Sequence, residues 1–148
     1  MQKQKGFTII ELIVVIAIIA VLAAIVMVNV TQYIAKGKDA AVKGNLASAM
    51  ANAAVYYDTN PTLGVVCADT VSGFKTAYDA AAAQYGAASA SCADTTISGT
   101  SSFWCACARL VSDNTKYYCV DSTGKKLEGT VACATDCTDG SDYTCDGT

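Results

Sequence analysis

Residues 6–30 read GFTIIELIVVIAIIAVLAAIVMVNV, and their only charged side chain is Glu11. As a helix rising about 1.5 Å per residue, the 22 residues of the run 7–28 cover about 33 Å. The hydrocarbon core of a bilayer is about 30 Å thick, so this run is long enough to span it. A carboxylate deep in lipid costs roughly 2 to 4 kcal/mol, and Glu11 therefore implies a partner.

Three interpretations of this run compete: a cleaved secretory signal peptide, a plain transmembrane anchor, and a segment that leaves the membrane later. A signal peptide has an apolar core of roughly 7 to 15 residues, whereas this run continues to residue 28 and carries Glu11 near its start. A plain transmembrane anchor fits the length of the run but does not explain why the run contains Glu11. The third interpretation accounts for both features.

Residues 5–11, KGFTIIE, followed by a run of Val, Ile, Leu and Ala, resemble the processing site of type IV prepilins and type II secretion pseudopilins. The match is close through the apolar run and weaker beyond it. In that family a membrane aspartyl peptidase cuts after the glycine and methylates the new amino terminus. The resemblance implies a cut between Gly6 and Phe7, with Phe7 as the N-methylated first residue.

The cut explains Glu11, because it creates a positive amine on Phe7 and a charge buried in hydrocarbon needs a counter-charge. The resemblance implies a structural subunit of a type IV pilus-like extracellular filament, a helical polymer of the chain itself assembled through the hydrophobic helix. Its other partners would be a prepilin peptidase/methyltransferase, an inner-membrane assembly platform, and the membrane before assembly. Two alternatives stay open: a pseudopilin in a short periplasmic piston, and a monomeric single-span anchored binding domain.

Basic residues alone do not orient the segment in the membrane, because those before it nearly balance those after it. The eight cysteines decide the orientation instead, since a disulfide-rich domain belongs on the oxidising side. We expect a single-pass inner-membrane protein with a cytoplasmic N terminus, which later joins an extracellular filament on the cell surface.

All eight cysteines follow the apolar run, and an even number in a compact stretch predicts a disulfide framework. They are Cys67, Cys92, Cys105, Cys107, Cys119, Cys133, Cys137 and Cys145. The competing interpretation is a zinc site of four cysteines. It is disfavoured because paired CxxC knuckles are absent and the sequence contains no His.

Charge and composition exclude several function classes for the part of the chain after residue 44. This part has five basic and eleven acidic residues, a net charge of −6, so nucleic acid is not expected as a partner. The sequence has no His, no nucleophile elbow, no phosphate loop and no recognisable pair of catalytic acids. We therefore expect a structural protein rather than an enzyme.

The chain divides into a leader (1–6), a transmembrane and polymerisation helix (7–28), an amphipathic continuation (29–58) and a disulfide-rich head (59–148). In the continuation, apolar residues recur at helical spacing and predict one face that docks on the head: Val42, Leu46, Met50, Ala53 and Tyr57. Many major pilins carry a proline near the end of the apolar run. Here VMVN at residues 26–29 has none.

The head is predicted to be α+β, with the long helix packed on a three- to four-stranded antiparallel sheet. Asp69 or Thr70 can cap a second helix that ends at Gly86. Strands are predicted over residues 102–110, 116–120 and 126–129. Cys67 and Cys92 bracket the second helix, so we expect them to pair.

The C-terminal tail is expected to be stapled to the sheet by disulfides. Cys105 and Cys107 face the same side of a strand and should each find a separate partner among the remaining cysteines. Such a tail resembles the C-terminal disulfide loop of many pilins. A solvated acidic loop is the favoured interpretation of Asp136, Asp139 and Asp142, but they also resemble the calcium site of major pseudopilins. No other cofactor is expected.

Overall fold

The computed structural model describes residues 6–60, 65–97, 101–137 and 143–145 of the 148-residue chain. The chain divides into two compact units, Met1–Ile34 and Ala35–Thr148. We call the second unit the head-bearing unit, because it contains the sheet and all the cysteines.

One α-helix, α1, runs from Ile9 to Thr59 and confirms the predicted long helix. Gly37 does not interrupt it, and residues 26–29 contain no proline that would break it. At the end of the helix, side chains donate hydrogen bonds to carbonyl groups of the last turn. Asn60 Nδ2 donates to the carbonyl of Tyr56 at 3.2 Å, and Thr59 Oγ1 donates to that of Val55 at 3.1 Å. Among the described residues, α1 is the one helix long and apolar enough to cross a membrane.

The sheet has four antiparallel strands in the order β1-β2-β3-β4, namely β1 (Ala90–Ile97), β2 (Ser101–Arg109), β3 (Tyr117–Asp121) and β4 (Lys126–Gly129). The last three correspond to predicted strands. β1 was not predicted, because ASCADTTI is dominated by small and polar residues and does not alternate between apolar and polar. The segment is a strand because it pairs with β2, from Ala90 opposite Ala108 to Ile97 opposite Ser101.

The two faces of the sheet bury different kinds of side chain, because successive side chains of a strand point to opposite sides. On one face, Trp104, Ala106 and Val120 join the main hydrophobic core. On the other, Cys105 and Cys107 join a second cluster made of cysteines. The head therefore has two small cores that share one sheet.

The stripe of α1 that enters the main core is rotated slightly from the predicted face. Buried positions recur every three or four residues along one side of the helix, at Val42, Leu46, Ala49, Ala53 and Tyr56. Met50 and Tyr57 lie at the margin of this stripe and are only partly buried. Ala49 and Ala53, within this stripe, are at most 1% exposed.

The second helix, α2 (Phe74–Ala82), is shorter than predicted at both ends. Asp69 does not cap it; its carboxylate accepts the backbone N–H groups of Val71 and Ser72 in the preceding turn. Gly73 takes the N-cap position at φ 85°, a left-handed conformation that favours glycine. Val71 lies in this preceding turn, where it is 95% exposed.

Phe74 anchors α2 to the sheet. Its ring meets Trp104 edge to face, with centroids 5.2 Å apart and planes at 79°. Two short 3₁₀ helices, Val66–Ala68 and Ala87–Ser89, flank α2, and a four-residue helix, α3 (Cys133–Asp136), carries part of the tail. The tail thus has local structure that turn composition alone did not predict.

Candidate functional site

The first turn of α1 contains a reciprocal hydrogen-bond pair between Thr8 and Glu11. Glu11 Oε2 accepts from both the backbone N–H and the hydroxyl of Thr8, each at 2.8 Å. In return, the Glu11 backbone N–H donates to Thr8 Oγ1 at 3.2 Å. With Thr8 at the N-cap and Glu11 at the third helical position, this is a capping box.

The capping box gives Glu11 a local, uncharged partner in addition to the counter-charge expected from the sequence. The negative side chain also lies at the positive end of the helix dipole, which favours it. A carboxylate has about four lone-pair positions, and the bonds to Thr8 occupy only part of them. Glu11 can therefore keep its cap and still accept a hydrogen bond from an amine.

The apolar part of α1 presents a continuous surface of aliphatic side chains. Every described side chain from residue 6 to residue 34 is exposed, including Phe7 at 83% and Ile9 at 78%. A shallow groove of 480 Å³ follows one side of the helix, lined by Ile19, Leu22, Ala23, Val26, Met27 and Val30. A surface of this kind is suited to lipid or to other apolar helices.

In the head-bearing unit, Asp39 ties α1 to the segment that follows β2. Its side chain is 8% exposed, and its Oδ1 accepts the backbone N–H groups of Val111 at 2.5 Å and Ser112 at 3.1 Å. The Ser112 hydroxyl donates to the other carboxylate oxygen. The charge is buried with three donors, which satisfies most of its hydrogen-bonding capacity.

A surface ion-pair cluster lies on the same unit, with Glu128 between two lysines. The Nζ of Lys43 is 2.7 Å from Glu128 Oε2, and the Nζ of Lys116 is 3.3 Å from Oε1. The hydrogen bond from Lys43, with further help from Lys116, lowers the pKa of Glu128 below its ordinary 4.5 against a smaller opposing effect of burial. This cluster joins α1 to β4 and to Lys116, the residue before β3.

The structure joins Cys67 to Cys92, the pairing favoured from the sequence, with the two Cα atoms 5.9 Å apart. The bond connects the segment before α2 to β1, and the Cys67 backbone N–H also donates to Asp94 Oδ2 at 2.7 Å. This disulfide closes the predicted loop around α2.

Three further disulfides staple the tail to the sheet. Cys105 of β2 pairs with Cys137, Cys107 of β2 with Cys133, and Cys119 of β3 with Cys145. Cys105 and Cys107 thus have separate partners, in agreement with the alternation argument. All six are buried at 4% exposure or less.

Asp121 holds the end of the tail and the turn after β3 through one buried carboxylate. Its Oδ1 accepts from the Thr123 backbone N–H at 2.9 Å and the Lys125 backbone N–H at 3.1 Å, while Oδ2 accepts from the Cys145 backbone N–H at 2.9 Å. This side chain is completely buried. The tail is therefore fixed by a charged hydrogen-bond acceptor as well as by disulfides.

The predicted site residues fall into separate regions. Glu11 and Phe7 lie at the start of the apolar helix, and the cysteines lie in the head. Asp139 and Asp142 of the predicted calcium site lie outside the described residues, as does the side chain of Asp136, so that site stays a prediction. Residues 1–5 of the predicted leader also lie outside them.

Sequence reasoning did not single out Thr8, Asp39 or Asp121. Thr8 could have been found, because Thr-x-x-Glu before an apolar run is a recognised capping pattern. The two aspartates carry no such local signal. Their partners at residues 111–112 and 145 are remote in the sequence and become neighbours only in the folded head.

Comparison with known proteins adds two findings. Residues 1–27 match the family described as "Prokaryotic N-terminal methylation motif". Fimbrial protein Q of Moraxella bovis is 44% identical over 72 residues, an alignment that covers 47% of this chain and 46% of that protein. The chain is thus similar to methylation-motif proteins at its N terminus and to a fimbrial protein over about half of its length.

The residues matched by the methylation-motif family include Gly6, Phe7, Thr8 and Glu11, which lie just before α1 and in its first turn. The chain spans about half the length of the curated relative that it matches. No solved structure matches the chain.

Proposed function

We propose that this chain is a structural subunit of a type IV pilus-like filament. A prepilin peptidase cuts it between Gly6 and Phe7 and methylates the new amine. Residues 7–28 hold the subunit in the inner membrane, with its disulfide-rich head on the oxidising side. The subunit then leaves lipid for a polymer in which the same apolar helix packs against its copies.

The observation that carries this proposal is the exposed apolar surface of α1, which begins at a capped carboxylate within a methylation motif. Lipid and a bundle of apolar helices are both able to cover such a surface. Glu11 distinguishes the two environments. In lipid its unpaired charge raises the free energy of the subunit, whereas in a polymer an amine of another subunit is available as a counter-ion. Assembly is therefore favoured over storage in the membrane.

Processing is tested by following the size of the precursor in cells that contain a prepilin peptidase. Changing Gly6 to Leu should leave the chain uncut and absent from filaments. Gly37→Leu is the matched control, because it makes the same change at a glycine outside the motif with open space around its side-chain position. Normal processing of the Gly6 variant contradicts the proposal and favours a simple anchored domain.

The role of the Glu11 charge is tested with two substitutions. Glu11→Gln removes the charge and keeps a side chain that can form the capping box, whereas Glu11→Ala removes both. If the counter-ion drives assembly, both variants insert in the membrane and neither enters filaments as the main subunit. Filaments of normal length from Glu11→Gln would refute the charge-neutralisation account.

A further inference from the structure

The chain contains a single arginine, Arg109 at the end of β2, and its neighbours hold the side chain in one position. The guanidinium carbon lies 4.8 Å from the ring centroid of Tyr85 and 5.6 Å from that of Tyr117, the residue opposite Arg109 on β3. Arg109 Nε donates to the backbone carbonyl of Asn114 at 2.5 Å. The cation–π contacts and this hydrogen bond fix the guanidinium before any further partner binds.

Most of the donors of this guanidinium are unused in the part of the chain that the structure describes. Arginine has five N–H donors, and Nε accounts for one of them. The four donors of the two Nη atoms have no hydrogen-bond or ion-pair partner among the described residues. Because Arg109 is only partly buried, a group from another molecule can reach these donors. A planar fork of parallel N–H donors binds a carboxylate in bidentate fashion.

The complementary charge is Asp58, in the last turn of α1. It is exposed, and it is the one acidic side chain in the described part of the chain without a hydrogen bond or an ion pair. Its charge lies at the negative end of the helix dipole, and no basic residue of that turn offsets it. A cation from another molecule would therefore stabilise Asp58.

Arg109 and Asp58 lie toward opposite ends of the head-bearing unit. The backbone N–H of Val111, two residues after Arg109, is 2.5 Å from Asp39 Oδ1, so Arg109 lies beside the turn of α1 that contains Asp39. Asp58 follows Asp39 along the same helix after a rise of about 28 Å. The two groups of one chain are too far apart to pair, whereas a second copy is able to bring its own Asp58 to Arg109.

We propose that Arg109 of one subunit binds the Asp58 carboxylate of the next subunit along the filament. This inference rests on the proposed function and adds to it a contact between heads. The contact is heterologous, because the two copies use different surfaces, and a heterologous contact that does not close into a ring produces a helical polymer. Each subunit inside the polymer makes the contact twice, once through each residue.

Charge favours another copy of the chain over a free polyanion as the source of the carboxylate. After residue 44 the chain has five basic and eleven acidic residues, a net charge of −6, which repels polyanions in solution. Heads of like charge also repel one another, and a specific pair of opposite charges offsets this repulsion and fixes the register of neighbours. Polymerisation through α1 holds the heads at a high local concentration, so a weak exposed pair is able to form.

The first measurement is a charge exchange, made in cells that assemble filaments from the full chain. Arg109→Asp and Asp58→Arg each place like charges at the contact, and the double variant restores a pair of opposite charges. Each single variant should lose most of its filaments, and the double variant should recover them. Lys126→Glu is the matched control, because it reverses an exposed charge without an ion pair among the described residues, and it should leave filaments unchanged.

The exchange separates the contact from the packing of Arg109 within its own head. Arg109→Asp removes the contacts with Tyr85 and Tyr117, but the double variant lacks them as well, so recovery cannot come from them. Single variants that assemble normally overturn the proposal. A double variant that assembles no better than Arg109→Asp overturns it too.

The second measurement does not depend on the folding of an Arg109 variant. Asp58→Asn changes an exposed side chain that has no partner among the described residues, and it removes only the charge. Purified filaments are heated, and the fraction that still sediments is measured. The Asp58→Asn filaments should dissociate at a lower temperature than natural filaments in dilute salt, and the difference should shrink in concentrated salt, which screens exposed ion pairs. Equal dissociation temperatures in dilute salt overturn the proposal.

The outcomes distinguish this contact from the proposed function. If the natural chain forms no filaments, the proposed function fails and the contact fails with it. If the natural chain and all the variants form equally stable filaments, the proposed function stands and the contact alone is overturned. If only the Arg109 variants weaken the filaments, Arg109 binds a different anion and its pairing with Asp58 is overturned.

Discussion

The Thr8 hydroxyl donates a 2.8 Å hydrogen bond to the Glu11 carboxylate and accepts one of 3.2 Å from the Glu11 backbone N–H. The carboxylate that is expected to attract an amine during assembly is therefore also part of the cap at the N terminus of the helix. These two functions depend on different properties, since capping needs hydrogen-bonding atoms and assembly needs a negative charge. They are separable by mutation.

Replacing Thr8 by Val should fray the first turn of α1, because Val keeps the shape of the side chain and lacks the hydroxyl. The cost is about 1 kcal/mol, typical of a lost N-cap. Hydrogen exchange of the backbone amides of residues 9–12, measured in micelles, should become faster. Thr8→Ser retains the hydroxyl and should leave exchange unchanged, and equal exchange in both variants contradicts the role of the cap.

Replacing Asp39 by Ala should destabilise the head by about 1 to 3 kcal/mol, because the backbone N–H groups of Val111 and Ser112 lose their buried acceptor. The measurement is denaturant unfolding followed by fluorescence of Trp104. This residue is the only tryptophan of the chain, and it is 2% exposed.

Lys38→Gln is the matched control for the Asp39 variant. It changes a charged residue one position away on the same helix, where the side chain is exposed. Its stability should remain within about 0.5 kcal/mol of the natural chain. If the free energy of unfolding falls by the same small amount in both variants, the hydrogen bonds of Asp39 contribute little to the stability of the head.

Removing the disulfide between Cys67 and Cys92, by changing both residues to Ala, should destabilise the head by about 3.5 kcal/mol. This value follows from the chain-entropy account for a loop whose cysteines lie 25 residues apart. Proteolysis should become faster within α2, the helix that the loop encloses. A loss below about 1 kcal/mol would show that Asp94 and Phe74 hold this region without the bond.

Glu128 should make stability depend on acid pH in a defined direction. Its pKa is lowered in the folded state, so the unfolded chain takes up the proton first as pH falls. The stabilisation is therefore complete above the unfolded value of 4.5 and is lost as pH falls through the lower folded value. Because Glu128 is 36% exposed in its side chain, we expect less than about 1 kcal/mol.

This effect is measured as the difference in unfolding free energy between the natural chain and Glu128→Gln. The difference should favour the natural chain at pH 7, shrink below pH 4.5, and diminish in concentrated salt, which screens exposed ion pairs. A difference that grows as pH falls contradicts the assigned direction.

Much of this protein follows from local patterns. The uninterrupted apolar run predicts α1, and the motif from Gly6 to Glu11 predicts processing at its start. Alternation along β2 separates the side chains of Cys105 and Cys107 from those of Trp104 and Ala106, so separate partners for the two cysteines could be expected. In each case the pattern is contained within a few turns or one strand, and neighbouring residues suffice to determine it.

Other features depend on residues that are far apart in the sequence. β1 forms because β2 offers it a hydrogen-bonding edge, although its own composition is weakly strand-forming. The α1 stripe buries Ala49 fully and Met50 only in part, and which side of the helix meets the head depends on residues remote in the sequence.

Local patterns in the chain suffice to predict the long apolar helix, the charged residue at its start, and a disulfide-linked α+β head. The pairing of the tail cysteines and the burial of Asp39 and Asp121 could be read only from the folded chain. The difference lies in how far apart in the sequence the interacting residues are. Helix periodicity and strand alternation are local, whereas a disulfide or a buried carboxylate needs a partner that only the folded chain brings near.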